Sequence, residues 1–370
     1  MLNRVPNTET SVGLVPALQV RIASLATAVP EYRYTQDEAL ELASRMFPAY
    51  GRLESVFANT GIRNRYSCVP LDWFSEPHNW VDRNAVYERC ALDLLERVAR
   101  SAISRAGLGM EDIGAILTVS TTGLSVPSLD AKLMHRLGLG PDTERLPIFG
   151  LGCAGGVTGL ARAARLAATM NGRGVLMLCV ELCGLNFRPD KQSKVDFVSC
   201  ALFGDGAAGT ILQAHEKGSE AGPEGSMAHI TAVGEHNWSG TNDIMGWSIE
   251  EDGFGVVMST QIPKFARNEL REAVELFLAR HRLGLDDLDG IITHPGGRKV
   301  LEAISVALNV GRSELAHGWD VLRDYGNMSS PTVMFVLERT LGAGTTGRHL
   351  MAAFGPGFTV SFALLDIASA

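Results

Sequence analysis

The chain has no CxxC pair, no apolar run of membrane length and no excess of positive charge. Its six cysteines are Cys68, Cys90, Cys153, Cys179, Cys183 and Cys200. They are too few in 370 residues for a disulfide scaffold, and without paired spacing they outline no zinc site. Membrane spans need roughly 18 uninterrupted apolar residues, and no stretch approaches that. The opening residues lack the basic-then-apolar order of a secretory leader, so a soluble, cytoplasmic protein is expected. A formal net charge of −8 argues against a general nucleic-acid or acidic-membrane binder, but leaves room for a local basic mouth.

Hydrophobic residues make up 46% and charged residues 20%, an ordinary globular balance in a chain long enough for two domains or two halves of one. Short apolar strands alternate with helices, which predicts parallel sheets covered by helices. A long amphipathic helix is expected from about Val86 to Ala106, with Cys90 in its core face beside Leu94, Val98 and Ala102. Cys179, in the apolar run 174–182, is expected in the core as well.

The chain repeats itself. Residues 108–118, LGMEDIGAILT, align without gaps on 283–293, LGLDDLDGIIT, an offset of 175. Each segment follows a long amphipathic helix. The same offset carries Cys153 onto another turn entering a helix, and carries the strand 174–182 onto the apolar run 349–357. Chance can produce one such segment; three features at one offset indicate an internal duplication. The Gly-rich, apolar-poor stretch 215–227 is the predicted boundary. The organisation expected is a tail, 1–20, and two halves, 21–222 and 223–370.

Residues 151–160, LGCAGGVTGL, carry the strongest chemical signal. A run ending in Phe149 and Gly150 reads as a buried strand, Gly152 bends the chain, and the segment after Cys153 reads as a helix, with Val157, Leu160, Ala161, Ala164 and Ala168 near a 3.6-residue period. A thiol at such a helix entrance faces unpaired N–H groups and the positive end of the helix dipole. That predicts a depressed pKa and a nucleophile. A small buried cysteine in a Gly-rich turn is the plainer reading. Two further polar residues favour the nucleophile: if the halves pack about a pseudo-twofold axis, Asn327 and His294 (at the strand end IITHPGG) approach the same centre. Alone, either is an ordinary cap or turn residue. With a thiol, imidazole and carboxamide supply a base and oxyanion donors.

At these residues the chain resembles the type III polyketide synthases, the chalcone and stilbene synthase family. The resemblance runs from about Val20 to the C-terminus. It rests on GCAGG with Cys153, LFGDGAA with Phe203, HPGG with His294, YGNMSS with Asn327, and FGPG at 354–357. It implies an α/β, thiolase-like fold of duplicated αβαβα layered halves, a homodimer and a Cys153–His294–Asn327 triad. It implies acyl-CoA and malonyl-CoA as substrates and no cofactor, because loss of CO₂ drives the carbon–carbon bond.

The resemblance also implies cavity residues. Phe203 matches a gating phenylalanine; the second gate falls near Val256. Thr121, Cys183, Asn186 and Ser329 match cavity-lining positions, and Trp247 stands near a glycine of the plant enzymes. Val126 matches a residue that crosses the dimer interface. For the coenzyme A mouth only Arg52 matches, with Ser55 and Asn59 where plant enzymes are basic; Arg63, Arg65 and Lys299 are the candidates to compensate. The segments 181–189, 245–259 and 319–330 resemble bacterial alkylpyrone and alkylresorcinol synthases, which implies a medium- or long-chain fatty acyl starter. The alternative is a β-ketoacyl synthase III-like enzyme making one condensation onto acyl carrier protein.

Overall fold

The computed structural model describes residues 20–188, 191–214 and 227–368. The predicted tail up to residue 19 and nearly all of the predicted boundary stretch lie outside the described residues. Strand β1 (Val20–Ala28) leads to β2 (Tyr32–Thr35), helix α1 (Gln36–Met46), the single turn α2 (Ser55–Ala58) and β3 (Asn64–Ser67), which pairs back on β2. Helix α3 (Trp80–Arg105), β4 (Ile113–Val119), α4 (Leu129–Leu137), β5 (Glu144–Ile148) and α5 (Gly155–Ala167) follow. The half ends with β6 (Gly174–Leu182), α6 (Lys194–Leu202) and β7 (Asp205–Ala214). The second half opens with β8 (Ala228–Asn237), the hairpin β9 (Met245–Glu250) and β10 (Gly253–Met258), and α7 (Ile262–Ala279). It continues with β11 (Gly290–Thr293), α8 (Arg298–Leu308), α9 (Ala316–Tyr325), α10 (Thr332–Gly342), β12 (Gly347–Gly355) and β13 (Thr359–Ile367).

Nine strands form one sheet in the order β11-β12-β13-β8-β1-β7-β6-β4-β5. Outward from the centre, β1-β7-β6-β4 repeats as β8-β13-β12-β11, and β1 joins β8 over only three residue pairs, Val20–Ile22 against Ala228–Ile230. The duplication reaches single hydrogen bonds. Gly109 N–H donates to the Asp112 carboxylate at 2.8 Å, and 175 residues later Gly284 N–H donates to Asp287 at 2.7 Å. The sheet is mixed, not parallel as expected: only β4 with β5 and β6, and β11 with β12, run parallel. Period and spacing carry no strand direction, and the three-residue turn 356–358 can only return β13 antiparallel to β12.

Helices α5 and α10 form the middle layer. Their apolar residues join those of strands from both halves in one core, while α3 covers the outer face of the first half and α7 and α8 that of the second. This is the expected αβαβα layering. A helix covered on all sides reads as apolar all round, and α5 is buried from Gly155 to Ala161 without interruption. Ala168 is exposed just past its end, so Ala163 and Ala167 take the core positions expected of it. Helix α3 starts at Trp80, before the expected Val86, because Asn79 and Asp82 form a capping box there. Cys90, on the core face as expected, is half-buried and packs against the core of the first half, with its thiol toward the Cys68 carbonyl; Cys179 is fully buried. The strand before Cys153 is not the buried one expected. It is β5, the sheet edge, with Leu146 37% and Phe149 51% exposed.

Candidate active site

Cys153 sits in a 3-10 turn, Gly152–Ala154, directly ahead of α5. Gly152 is needed twice there. Its φ of +46° is left-handed, and a Cβ would lie 2.9 Å from the ring of Pro356, in the FGPG turn. Its N–H donates to Thr121 Oγ1 at 3.1 Å. Across the pseudo-twofold, Gly156 meets the start of α10 so closely that a Cβ would stand 2.4 Å from the Ser330 carbonyl oxygen. The glycines after Cys153 therefore let the two helix entrances touch.

His294 follows β11, held by its N–H to the Ala352 carbonyl at 2.9 Å. Both ring nitrogens are buried and have no hydrogen-bond partner among the described residues. Asn327 is fixed on all sides. Its N–H donates to Leu202 O at 2.9 Å, its carbonyl accepts from Gly204 N–H at 3.0 Å, and its Nδ2 donates to Gly296 O at 3.2 Å. Ser329 N–H donates to Asn327 Oδ1 at 2.8 Å, which settles the amide's orientation and leaves one Nδ2 proton free. The Cys153 thiol lies 3.9 Å from the same Oδ1. All three side chains line one cavity of about 730 Å³ between the halves.

The thiol is not depressed as expected. Burial pushes it up to about 11, with the Glu181 carboxyl adding to the effect, and burial pushes His294 down to about 3. Desolvation of the sulfur inside the cavity outweighs the helix dipole, which favours a neutral thiol beside a neutral imidazole. Glu181 itself is raised by burial to about 7 although it accepts from Thr121 N–H, Thr122 Oγ1 and Ser330 Oγ at 2.9–3.0 Å. The sequence reading took Glu181 as part of an apolar strand; no local pattern marks a carboxyl that ends β6 behind Cys153.

The same cavity is lined by Thr121, Cys183, Asn186, Phe203, Val256 and Ser329, as expected, and by Trp247. Lys299 lines it too, beside Arg298 and Lys194, which were not singled out; the adjacent basic pair after HPGG was the available signal for Arg298. Arg52 is exposed and outside the lining, unlike Ser55 and Asn59. Arg65 is no mouth residue. Its guanidinium is fully buried, donates to Cys200 O and, at 2.9 Å, to Phe203 O, and lies over the Tyr34 ring. Val126 is 95% exposed and does not line this cavity.

Among the described residues no group of His, Cys, Asp and Glu is placed to hold a metal ion, and no helix is long and apolar enough to cross a membrane. The family model for the N-terminal domain of chalcone and stilbene synthases matches residues 75–216, and that for the C-terminal domain matches 232–368. A 1,3,6,8-tetrahydroxynaphthalene synthase of Streptomyces peucetius subsp. caesius is 36% identical over 93% of this chain and 92% of its own length. A putative chalcone synthase of Bacillus subtilis is 34% identical over 93% and 98%. The crystal structure of PKS-I from the brown alga Ectocarpus siliculosus superimposes with a TM-score of 0.87 at 30% identity, covering 96% of this chain and 99% of that one. Thiol, imidazole and carboxamide in one cavity of a duplicated fold, and two domain models in register with its halves, make this chain a member of the chalcone and stilbene synthase family, the type III polyketide synthases.

Proposed function

We propose that the chain, acting in the cytoplasm as a homodimer, loads a medium- or long-chain fatty acyl group from its CoA thioester onto Cys153. It then extends that chain two or three times with malonyl-CoA and closes the product to an alkylpyrone or alkylresorcinol. The observation that carries the reading is the pair of unpartnered nitrogens on His294, in the cavity that also holds the Cys153 thiol and the Asn327 amide. A neutral imidazole can take the thiol proton as sulfur attacks the starter carbonyl, then return it to the departing CoA thiolate. Next, malonyl-CoA loses CO₂, and its enolate oxygen is met by N–H donors of His294 and Asn327. The enolate carbon attacks the Cys153 thioester, the C–S bond breaks, and the chain leaves two carbons longer on CoA. Return to the sulfur begins the next round.

Val256, where the family's second gate falls, and Cys183 leave apolar width beside Phe203. Each methylene buried there contributes about 0.8 kcal/mol, so a ten-carbon starter offsets much of its ordering cost. Leu124 and Val126, with Leu146 and Phe149, leave exposed apolar side chains where β4 and β5 end, which supports a second copy docking on that edge. A second reading, closure to tetrahydroxynaphthalene, rests on the relative of that name.

Mass spectrometry of products from malonyl-CoA with a graded series of acyl-CoAs tests the reading. Pyrone or resorcinol products that peak with C8 or longer starters support it; product from malonyl-CoA alone favours the naphthalene. Val256→Phe should shift the preferred starter shorter. Cys153→Ala should abolish condensation, and continued acyl loading by that variant contradicts its role. Asn327→Ala should impair malonyl-CoA decarboxylation most, about 10²–10³-fold, with starter loading retained.

A further inference from the structure

Cys68 and Cys90 stand apart from the other thiols of the chain. Cys68 follows β3 and Cys90 lies on α3, 22 residues further on. The Cys90 Sγ is nevertheless 3.9 Å from the Cys68 carbonyl oxygen, and the two thiols lie within hydrogen-bonding reach of each other. Both are partly exposed, whereas Cys179, Cys183 and Cys200 are buried. Cys153 and Cys183 line the cavity; Cys68 and Cys90 do not. The backbone at Cys68 is pinned, because its N–H donates to the Asp205 carboxylate at 2.9 Å and the Val69 N–H donates to Ser67 Oγ at 3.2 Å. The 26-residue helix α3 holds Cys90 in turn, so the two sulfurs meet on fixed backbone.

The surroundings divide the work between the two. The Cys68 thiol and then the exposed Arg89 guanidinium, against a weaker opposing effect of Asp93, draw Cys90 down to about 7. Cys68 is pushed well up by Cys90, by burial and by Asp205, so the shared proton stays there. A partly exposed sulfur beside a guanidinium is the setting in which thiols react with oxidants, and a second thiol in reach resolves the product. In a chain whose six free cysteines build no disulfide scaffold, such a pair reads as redox chemistry. We propose that Cys68 and Cys90 are a hydroperoxide-reactive dithiol, a modification site outside the cavity, with Cys90 as the attacking sulfur and Cys68 as the resolving one. The Cys90 thiolate attacks a peroxide oxygen and the O–O bond breaks. Sulfur is oxidised by two electrons to the sulfenic acid, and the departing hydroxide takes up the proton that Cys90 had lost. The Cys68 sulfur then attacks the Cys90 sulfur; the S–S bond forms, the S–O bond breaks, and hydroxide leaves as water with the Cys68 proton. Two thiols and one hydrogen peroxide give one disulfide and two waters. Cys153, which burial pushes up to about 11, is bypassed, so the dithiol takes the oxidant ahead of the proposed nucleophile.

The test treats the full-length protein at neutral pH with a small excess of hydrogen peroxide, then alkylates it in denaturant and maps its peptides by mass spectrometry. Free thiols should fall from six to four with a Cys68–Cys90-linked peptide, and dithiothreitol should restore all six. The Cys153 peptide should still carry the alkyl label of a free thiol. Cys68→Ser should stop at the sulfenic acid on Cys90, captured by dimedone. Cys90→Ser should lose thiols at least about tenfold more slowly than the wild type. Six free thiols in the treated wild type overturn the proposal whether or not either variant folds. A linked peptide that contains Cys153, or equal rates of thiol loss in Cys90→Ser and wild type, overturns it as well.

Discussion

The backbones of Phe203 and Asn327 are bridged side by side, with Gly204 N–H on the Asn327 carbonyl and Asn327 N–H on the Leu202 carbonyl. The phenylalanine and the carboxamide that line the cavity, 124 residues apart, are therefore one rigid unit. Arg65 braces that unit, donating to the Phe203 carbonyl and standing against Gly326, where a Cβ would meet its side chain at 2.8 Å.

Arg65→Met should strip the donors from two buried carbonyls and cost about 1–3 kcal/mol in denaturant unfolding. Because the bridge positions Asn327, malonyl-CoA decarboxylation should fall further than acyl loading of Cys153. Equal losses would assign Arg65 to folding alone.

Gly156→Ala places a Cβ 2.4 Å from the Ser330 carbonyl oxygen, a backbone atom that cannot swing aside. The entrances of α5 and α10 must separate, so the variant should lose stability by about 1–3 kcal/mol and most of its condensing activity, although alanine favours helices. Full activity in a folded Gly156→Ala protein would show that the close approach is dispensable.

Cys153 in the free protein is a thiol at neutral pH, since burial holds it near 11 and His294 near 3. Its alkylation by iodoacetamide should therefore climb steadily from pH 6 to 9. A plateau with a midpoint below pH 7 would instead reveal a standing thiolate–imidazolium pair.

Glu181 makes stability depend on pH. Its folded pKa, about 7, stands above the ordinary 4.5, so the folded state binds the proton more tightly. The stability from that proton is complete below about pH 4.5 and is lost as pH rises through about 7. Relative to the wild type, Glu181→Gln should gain about 3 kcal/mol at pH 8 and little at pH 5, read from paired unfolding curves. A pH-independent difference would contradict a buried, titrating carboxyl.

By itself the sequence determined the duplication and the alternation of elements, and it singled out Cys153, His294 and Asn327, the three side chains that one cavity brings together. Those signals are local: a glycine pair beside a cysteine, a repeated capped turn, an apolar period. The offset of 175 carries Cys153 to Met328, one residue past Asn327, so even their approach was within a residue of legible. Tertiary structure alone decided the strand directions, the exposed edge at β5, the burial of Arg65 and the protonation of Cys153. Each of these depends on which atoms from distant segments displace water. Desolvation outweighs the helix entrance at Cys153, and the cavity walls that cause it are built from both halves of the chain.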